Sequence, residues 1–127
     1  MDIAITLPMS LWKKIVSGEK IIELRKNFPI DFNVNVDKVY VCLKGSEFIV
    51  GYFMVSSFQR CTSDHVCTSH ELTLKIAVPI KWIYNYVTKK SWVYLWYIGG
   101  VFVFKGNGVH RSLFLIDKNP QSFIYLS

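Results

Sequence analysis

The sequence has no hydrophobic run long enough to cross a bilayer as a helix. Its most apolar stretch, residues 92 to 104, has thirteen residues and contains Gly99 and Gly100, whereas a spanning helix needs about 20. The first residues, Met1-Asp2-Ile3-Ala4, also lack the basic region with which a signal peptide begins. We therefore expect no membrane partner, a cytoplasmic location, and a buried strand at residues 92 to 104.

Cysteine is scarce, and the three cysteines are an odd number. A chain of 127 residues can bury roughly two-thirds of its unfolded surface without disulfides or metals, so we expect reduced thiols. Residues 60 to 70 do combine two cysteines, two histidines and an aspartate. Zinc sites usually use two separated ligand pairs, and a cysteine nucleophile needs an oxyanion hole, which this segment does not supply. We therefore expect no metal, no cofactor and a polar surface loop here.

The sequence also lacks charge runs, repeats and low-complexity tracts, so residues 1–127 are expected to form a single domain. Fifteen Lys and Arg against nine Asp and Glu give a net charge of +6. This excess favours a polyanionic partner without identifying it. The apolar share of 51% is high for a soluble monomer, so we expect some apolar surface to contact a protein partner or a second copy as a homodimer.

Local patterns predict a mixed α and β domain. A helix is expected to start between Pro8 and Ser10, another at a capping box from Thr68 to Glu71, and a third after Pro79. Gly51 is expected to mark a bulge or a close backbone approach. Strands are predicted at residues 2–7, 21–25, 36–43, 48–58, 92–104 (as one strand or as two arms about the glycine pair), 112–116 and 123–126. A loop is predicted at 27–35, and turns are predicted at 44–47, 105–108 and 119–122.

The chain is organised around the junction between the first helix and the second strand. Gly18 follows the last apolar residue of the helix and can adopt the left-handed conformation that ends it. Beyond it the apolar period becomes that of a strand, which places Glu23 and Arg25 on one face about 6.6 Å apart, with Lys20 in the adjacent turn. A solvated strand start without a ligand would also explain this spacing.

The pattern Gly18-x-Lys20-x-x-Glu23-x-Arg25 resembles the signature of the ASCH domain, a family of the PUA-like superfamily. The order of predicted elements resembles that family along the whole chain, and the end from Pro120 to the aromatic after Ser122 is similar to small phage and prophage members. The resemblance implies an α+β fold, a small mixed PUA-like β-barrel of about five to six strands with short covering helices. It also implies RNA or nucleic-acid binding in a cleft lined by the motif.

Three functions remain open for this motif. In the first, Gly18, Lys20, Glu23, Arg25 and Lys26 bind RNA, another nucleic acid or a nucleotide, with cationic donors to phosphate and Glu23 orienting Arg25. In the second, Lys20, Glu23 and Arg25 are catalytic in a small hydrolase or ribonuclease that acts on RNA or modified nucleosides, as is proposed for some members of the family. In the third, the chain is a phage-encoded adaptor that binds a protein.

Two considerations favour binding over catalysis. A carboxylate held between two cations is a weak base. The branch of the family that hydrolyses acylated cytidine nucleosides has a threonine nucleophile at the position of Glu23, and this difference argues against that activity here.

Overall fold

The computed structural model describes residues 1 to 27 and 36 to 126, and in these ranges it consists of one curled mixed sheet with short helices. The strands are β1 (Asp2–Leu7), β2 (Ile22–Arg25), β3 (Lys38–Leu43), β4 (Phe48–Thr62), β5 (Trp92–Val103), β6 (Val109–His110) and β7 (Ile124–Leu126). The α-helices are α1 (Met9–Ser17), α2 (Ser63–Thr68), α3 (His70–Ile76) and α4 (Ile80–Val87), and a 3₁₀ helix covers Arg111–Phe114. No helix in the described ranges is long and apolar enough to span a membrane.

The sheet follows the order β2-β5-β4-β3-β1-β7, with β6 paired to β4. Strands β1 and β3 are parallel, and the other neighbouring pairs are antiparallel. The curl brings the two ends of this order together, since the Arg25 side chain of β2 donates to the carbonyl of Ser122, just before β7. This α+β half-barrel confirms the predicted fold class.

Successive side chains along each strand point to opposite faces of the sheet, and both faces are covered. Ile3, Ile5 and Leu7 of β1 pack inside the curl against Trp12 of α1. The other face of β2 and β5 is covered by helices α2 to α4. Burial of each such aliphatic side chain contributes roughly 1.5 to 3 kcal/mol, so this second cluster fixes the helices against the motif strand. Its members include Ile22, Leu24, Ile76, Ile83, Val87, Val93 and Leu95.

Several local predictions are confirmed. Helix α1 begins after Pro8 and ends at Gly18, which has φ of 84° and donates its N–H to the Ile15 carbonyl. The hairpin of β3 and β4 forms around the turn at 44–47, and its register shifts opposite Gly51. A Cβ atom at Gly51 would lie 2.2 Å from the Phe102 carbonyl oxygen, so this position is a close backbone approach.

The prediction of a surface loop over residues 60 to 70 is wrong. Residues 60 to 62 continue β4, because Arg60, Cys61 and Thr62 pair with the start of β5. The Thr62 side chain then caps α2 by accepting from the His65 N–H. The predicted capping box is also misplaced by one residue, since the cap of α3 is Ser69, whose side chain accepts from the Leu72 N–H.

One strand prediction in the second half is confirmed and one is wrong. Residues 92 to 103 form a strand as predicted, and it is continuous, because it pairs with β4 on both sides of the glycine pair and does not divide into two arms. Residues 112 to 116 do not form a strand, because Arg111 holds this segment in a 3₁₀ turn with bonds to the Ser46 and Asp117 carbonyls. The predicted loop lies outside the described residues from position 28 to 35.

Candidate nucleic-acid interface

The motif strand β2 is held at its start and along one edge. After Gly18 the Lys20 N–H bonds back to the Lys14 carbonyl at 3.0 Å, and the Ile21 N–H bonds to the Lys75 carbonyl of α3 at 2.9 Å. The strand then pairs antiparallel with β5. Its register places Glu23 opposite Trp96 and Arg25 opposite Tyr94, so both motif side chains face the inside of the curl.

Lys20, Glu23 and Arg25 form one connected group, as predicted. The Glu23 Oε1 atom is 3.3 Å from Lys20 Nζ, and its Oε2 atom accepts from Arg25 Nε at 2.8 Å. Glu23 is only 4% exposed. Both carboxylate oxygens are therefore already in contact with a cation.

The Lys20 ammonium is buried and its donors are all used within the protein. It is 2% exposed, and besides Glu23 it bonds to the Ile22 carbonyl at 2.8 Å and the Ile76 carbonyl at 2.9 Å. Burial lowers the pKa of Lys20, and the neighbouring Glu23 carboxylate opposes this shift. An ammonium has three donors, so Lys20 is placed to hold Glu23 rather than to reach a phosphate.

Arg25 is the member of the group that extends towards solvent. Its side chain is 12% exposed, its Nη1 donates to the Ser122 carbonyl at 3.3 Å, and its guanidinium carbon lies 5.9 Å from the Trp96 ring. Its other amino group, Nη2, has no partner within residues 1–27 and 36–126. Arg25 Nη2 is thus a donor that the site retains for an incoming acceptor. Trp96 Nε1 also has no partner in the described part of the chain, but Trp96 is fully buried and does not line the cleft beside Arg25.

A cleft of about 140 Å³ opens beside the charged group. This is smaller than the roughly 300 to 1,000 Å³ of typical small-molecule sites, so it suits one ring or one small polar group. Trp82 and Tyr86 form one wall, with ring centroids 4.8 Å apart and planes within 13°. The cleft is lined by Thr6, Leu7, Pro8, Leu11, Lys20, Glu23, Leu24, Arg25, Ile76, Val78, Trp82 and Tyr86.

The aromatic wall was not predicted from the sequence. Trp82 and Tyr86 are four residues apart on α4, which is the spacing of neighbours on a helix face, but the residues of α4 that are buried in the core are Ile83 and Val87. Lys26 does lie at the site, because its Nζ is 4.5 Å from the Tyr86 ring centroid. Gly18 contributes only the turn, since it is exposed and has open space around it.

The cysteines and histidines do not form a second site in the described residues. No group of three or more His, Cys, Asp or Glu there could hold a metal ion. Cys42, Cys61 and Cys67 are free thiols, and burial raises the pKa of Cys42 to about 11. These thiols are therefore poor nucleophiles at neutral pH.

Comparison with solved structures shows an ASCH-type fold. The alignment with the crystal structure of ASCH from Zymomonas mobilis covers 99% of this chain and 87% of the Zymomonas chain, with a TM-score of 0.81 and 13% sequence identity. Two single-substitution mutants of that protein, ZmASCH, give TM-scores of 0.83 and 0.76 at 12% identity, over 88% and 90% of their chains. No family model matches the sequence. Comparison with curated proteins also gives no match.

Proposed function

We propose that the protein binds RNA, or a single nucleotide, in the cleft between the motif strand and α4. The observation that carries this proposal is the position of Arg25, which Glu23 holds at the cleft beside an aromatic wall. A guanidinium fixed by a carboxylate can offer its remaining donors to a phosphate in a defined direction. Arg25 is therefore assigned the main anion contact.

The wall of Trp82 and Tyr86 supplies the second half of the recognition. Trp82 is 44% exposed although it is large and apolar, and its exposed ring gives an unpaired base a surface on which to stack. Such stacking is worth about 1 to 3 kcal/mol per base. Lys26 adds a positive charge next to Tyr86. Stacking beside a cationic group suits single-stranded nucleic acid better than a duplex, whose bases are already stacked.

Catalysis through Glu23 is the weaker alternative. A general base needs a free oxygen within reach of the water that it activates, but Lys20 and Arg25 each contact one oxygen of Glu23. We assign Glu23 the role of orienting Arg25, and Lys20 the role of holding Glu23.

One observation supports the alternative that the chain is a protein-binding adaptor. Val101, Phe102 and Val103 are exposed on β5, and Met9 and Val16 of α1 are exposed across a groove of about 330 Å³. This apolar surface is where a protein partner or a second copy would dock. Binding to a protein partner with an affinity that does not change with salt concentration would favour this alternative.

Fluorescence anisotropy with a labelled single-stranded RNA, at several salt concentrations, tests the proposal. We expect affinity to fall steeply with salt, and Arg25→Ala to weaken binding about tenfold or more while reducing the salt slope by about 1. Glu23→Gln should weaken binding by about 1 to 3 kcal/mol, because it degrades a charge-assisted hydrogen bond. Lys105→Ala is the matched control, since it removes one charge from an exposed turn at the far end of β5.

The same variants separate binding from hydrolysis. If Glu23 is a general base, Glu23→Gln should lower RNA turnover by about a hundredfold or more with little change in affinity. Unfolding curves for each variant show whether a loss comes from the fold. Equal affinities for Arg25→Ala and Lys105→Ala would refute the proposed site.

A further inference from the structure

We propose that Arg60 and Trp92 form a second contact for the same RNA strand, so that the ligand is an oligonucleotide and not a mononucleotide. This inference rests on the proposed function of the Arg25 cleft. It concerns a pair of side chains outside that cleft, on strands β4 and β5.

The sheet register places this pair in line with Arg25. Arg25 of β2 is opposite Tyr94 of β5, and Tyr94 is opposite Arg60 of β4. Directly opposed residues project from the same face, and adjacent strands are about 4.8 Å apart. The two arginines therefore start from one row across three strands, with backbones about 10 Å apart.

The two guanidinium groups point away from each other along the strands. Arg25 turns towards Glu23 and lies 5.9 Å from the Trp96 ring. Arg60 turns the other way and lies 4.1 Å from the Trp92 ring. Trp92 and Trp96 are four residues apart on one strand, which is about 13 Å. One phosphate cannot contact both guanidiniums, but a strand of several nucleotides can.

The surroundings of Arg60 suit a nucleotide. Arg60 is exposed and Trp92 is 45% exposed, so the ring has free area for a base while the guanidinium is available to a phosphate. A hollow of about 400 Å³ adjoins them, lined by Thr62, Ser63, Asp64, Lys90, Ser91 and Trp92. Lys90 adds a second cation, and Asp64 places one carboxylate where it can accept from a base amino group.

Lys38 and Tyr52 form another cation–aromatic pair in the sheet, but the residues around this pair are different. Lys38 lies 5.0 Å from the Tyr52 ring, but Tyr52 packs between Tyr40 and Phe102 in an aromatic cluster on the outer face. That pair therefore belongs to the packing of the sheet. Lys38→Ala removes the same charge as Arg60→Ala and serves as its matched control.

Affinities for a mononucleotide and for an oligouridylate of about eight nucleotides test this inference. We expect Arg60→Ala and Trp92→Ala each to weaken oligonucleotide binding about tenfold and to leave mononucleotide binding unchanged, because only the longer ligand reaches them. Arg25→Ala should weaken both ligands, and Lys38→Ala neither.

The outcomes distinguish this inference from the proposed function. If Arg25→Ala weakens binding but Arg60→Ala behaves like Lys38→Ala, the second contact is refuted and the cleft stands. Equal affinity of the wild type for both ligands also refutes the second contact. If the wild type binds neither ligand, both the proposed function and this inference fail.

Discussion

At the scale of single residues, Lys20 is the centre of the site because it joins two elements. Its ammonium connects Glu23 of β2 with the last carbonyl of α3, at Ile76. We predict that Lys20→Met lowers the free energy of unfolding by about 3 kcal/mol, at the lower end of the range for breaking a buried ion pair, because Arg25 still neutralises Glu23. Denaturant unfolding measures this change.

A surface ion pair gives the matched control for Lys20. Lys75 pairs with Glu71 on the exposed side of α3, so Lys75→Met should change stability little. Equal stability of Lys20→Met and the wild type would show that the buried group does not hold the strand.

The lowered pKa of Lys20 also makes its contribution to the free energy of unfolding depend on pH. Between the folded-state pKa and the usual value of 10.5, the unfolded chain binds the proton more tightly than the folded chain does, so stability rises with pH. The stability difference between the wild type and Lys20→Met should therefore widen as the pH rises towards 10.5. A difference that narrows would contradict the burial of the ammonium.

The sequence predicted that Lys20, Glu23 and Arg25 come together, because a glycine stop and a strand period are local features. It did not predict the burial of Lys20. That burial depends on Ile76, which is 56 residues away in the sequence, and no local pattern shows that α3 ends over the motif turn.

At the scale of elements, Gly51 sets how closely β4, β5 and α1 approach. A Cβ atom there would lie 2.2 Å from the Phe102 carbonyl oxygen and 2.7 Å from the Trp12 ring. We predict that Gly51→Ala lowers the free energy of unfolding by about 3 kcal/mol or more, because backbone and a buried ring must both move. Thermal and denaturant unfolding measure the loss.

Gly99 of β5 is the matched control in the same sheet. A Cβ atom there has its nearest neighbour at 3.5 Å, which is an ordinary contact. Gly99→Ala should therefore be neutral or slightly stabilising, because alanine loses less backbone freedom on folding. Comparable losses for the two variants would show that the approach at Gly51 is not tight.

The sequence predicted the end of a helix or strand where one residue determines that end locally. It did not predict the ends that depend on pairing with a distant strand. Gly18 and Pro79 each mark a helix end that the structure confirms. The extension of β4 to Thr62 was missed, because its polar sequence is strand only through pairing with β5. The strand predicted at 112 to 116 failed because Arg111 bonds impose a turn on an apolar segment.

At the scale of the whole molecule, the site lies where the two ends of the curled sheet meet. The Arg25 bond to the Ser122 carbonyl joins β2 to the segment before β7. A ligand that contacts Arg25 therefore touches the junction that closes the curl. The α+β class was predictable from the element order, but this junction was not, since its partners are 97 residues apart in the sequence.

The most direct test of the cleft as the RNA site is chemical-shift mapping with isotope-labelled protein. During titration with single-stranded RNA, we predict saturable shifts of the Arg25 Nε–H and Trp82 indole N–H signals, because both groups line the cleft. The indole signal of Trp12, which is buried against Gly51, should stay unchanged. Shifts confined to other surfaces, with Arg25 and Trp82 unmoved at saturation, would contradict the account.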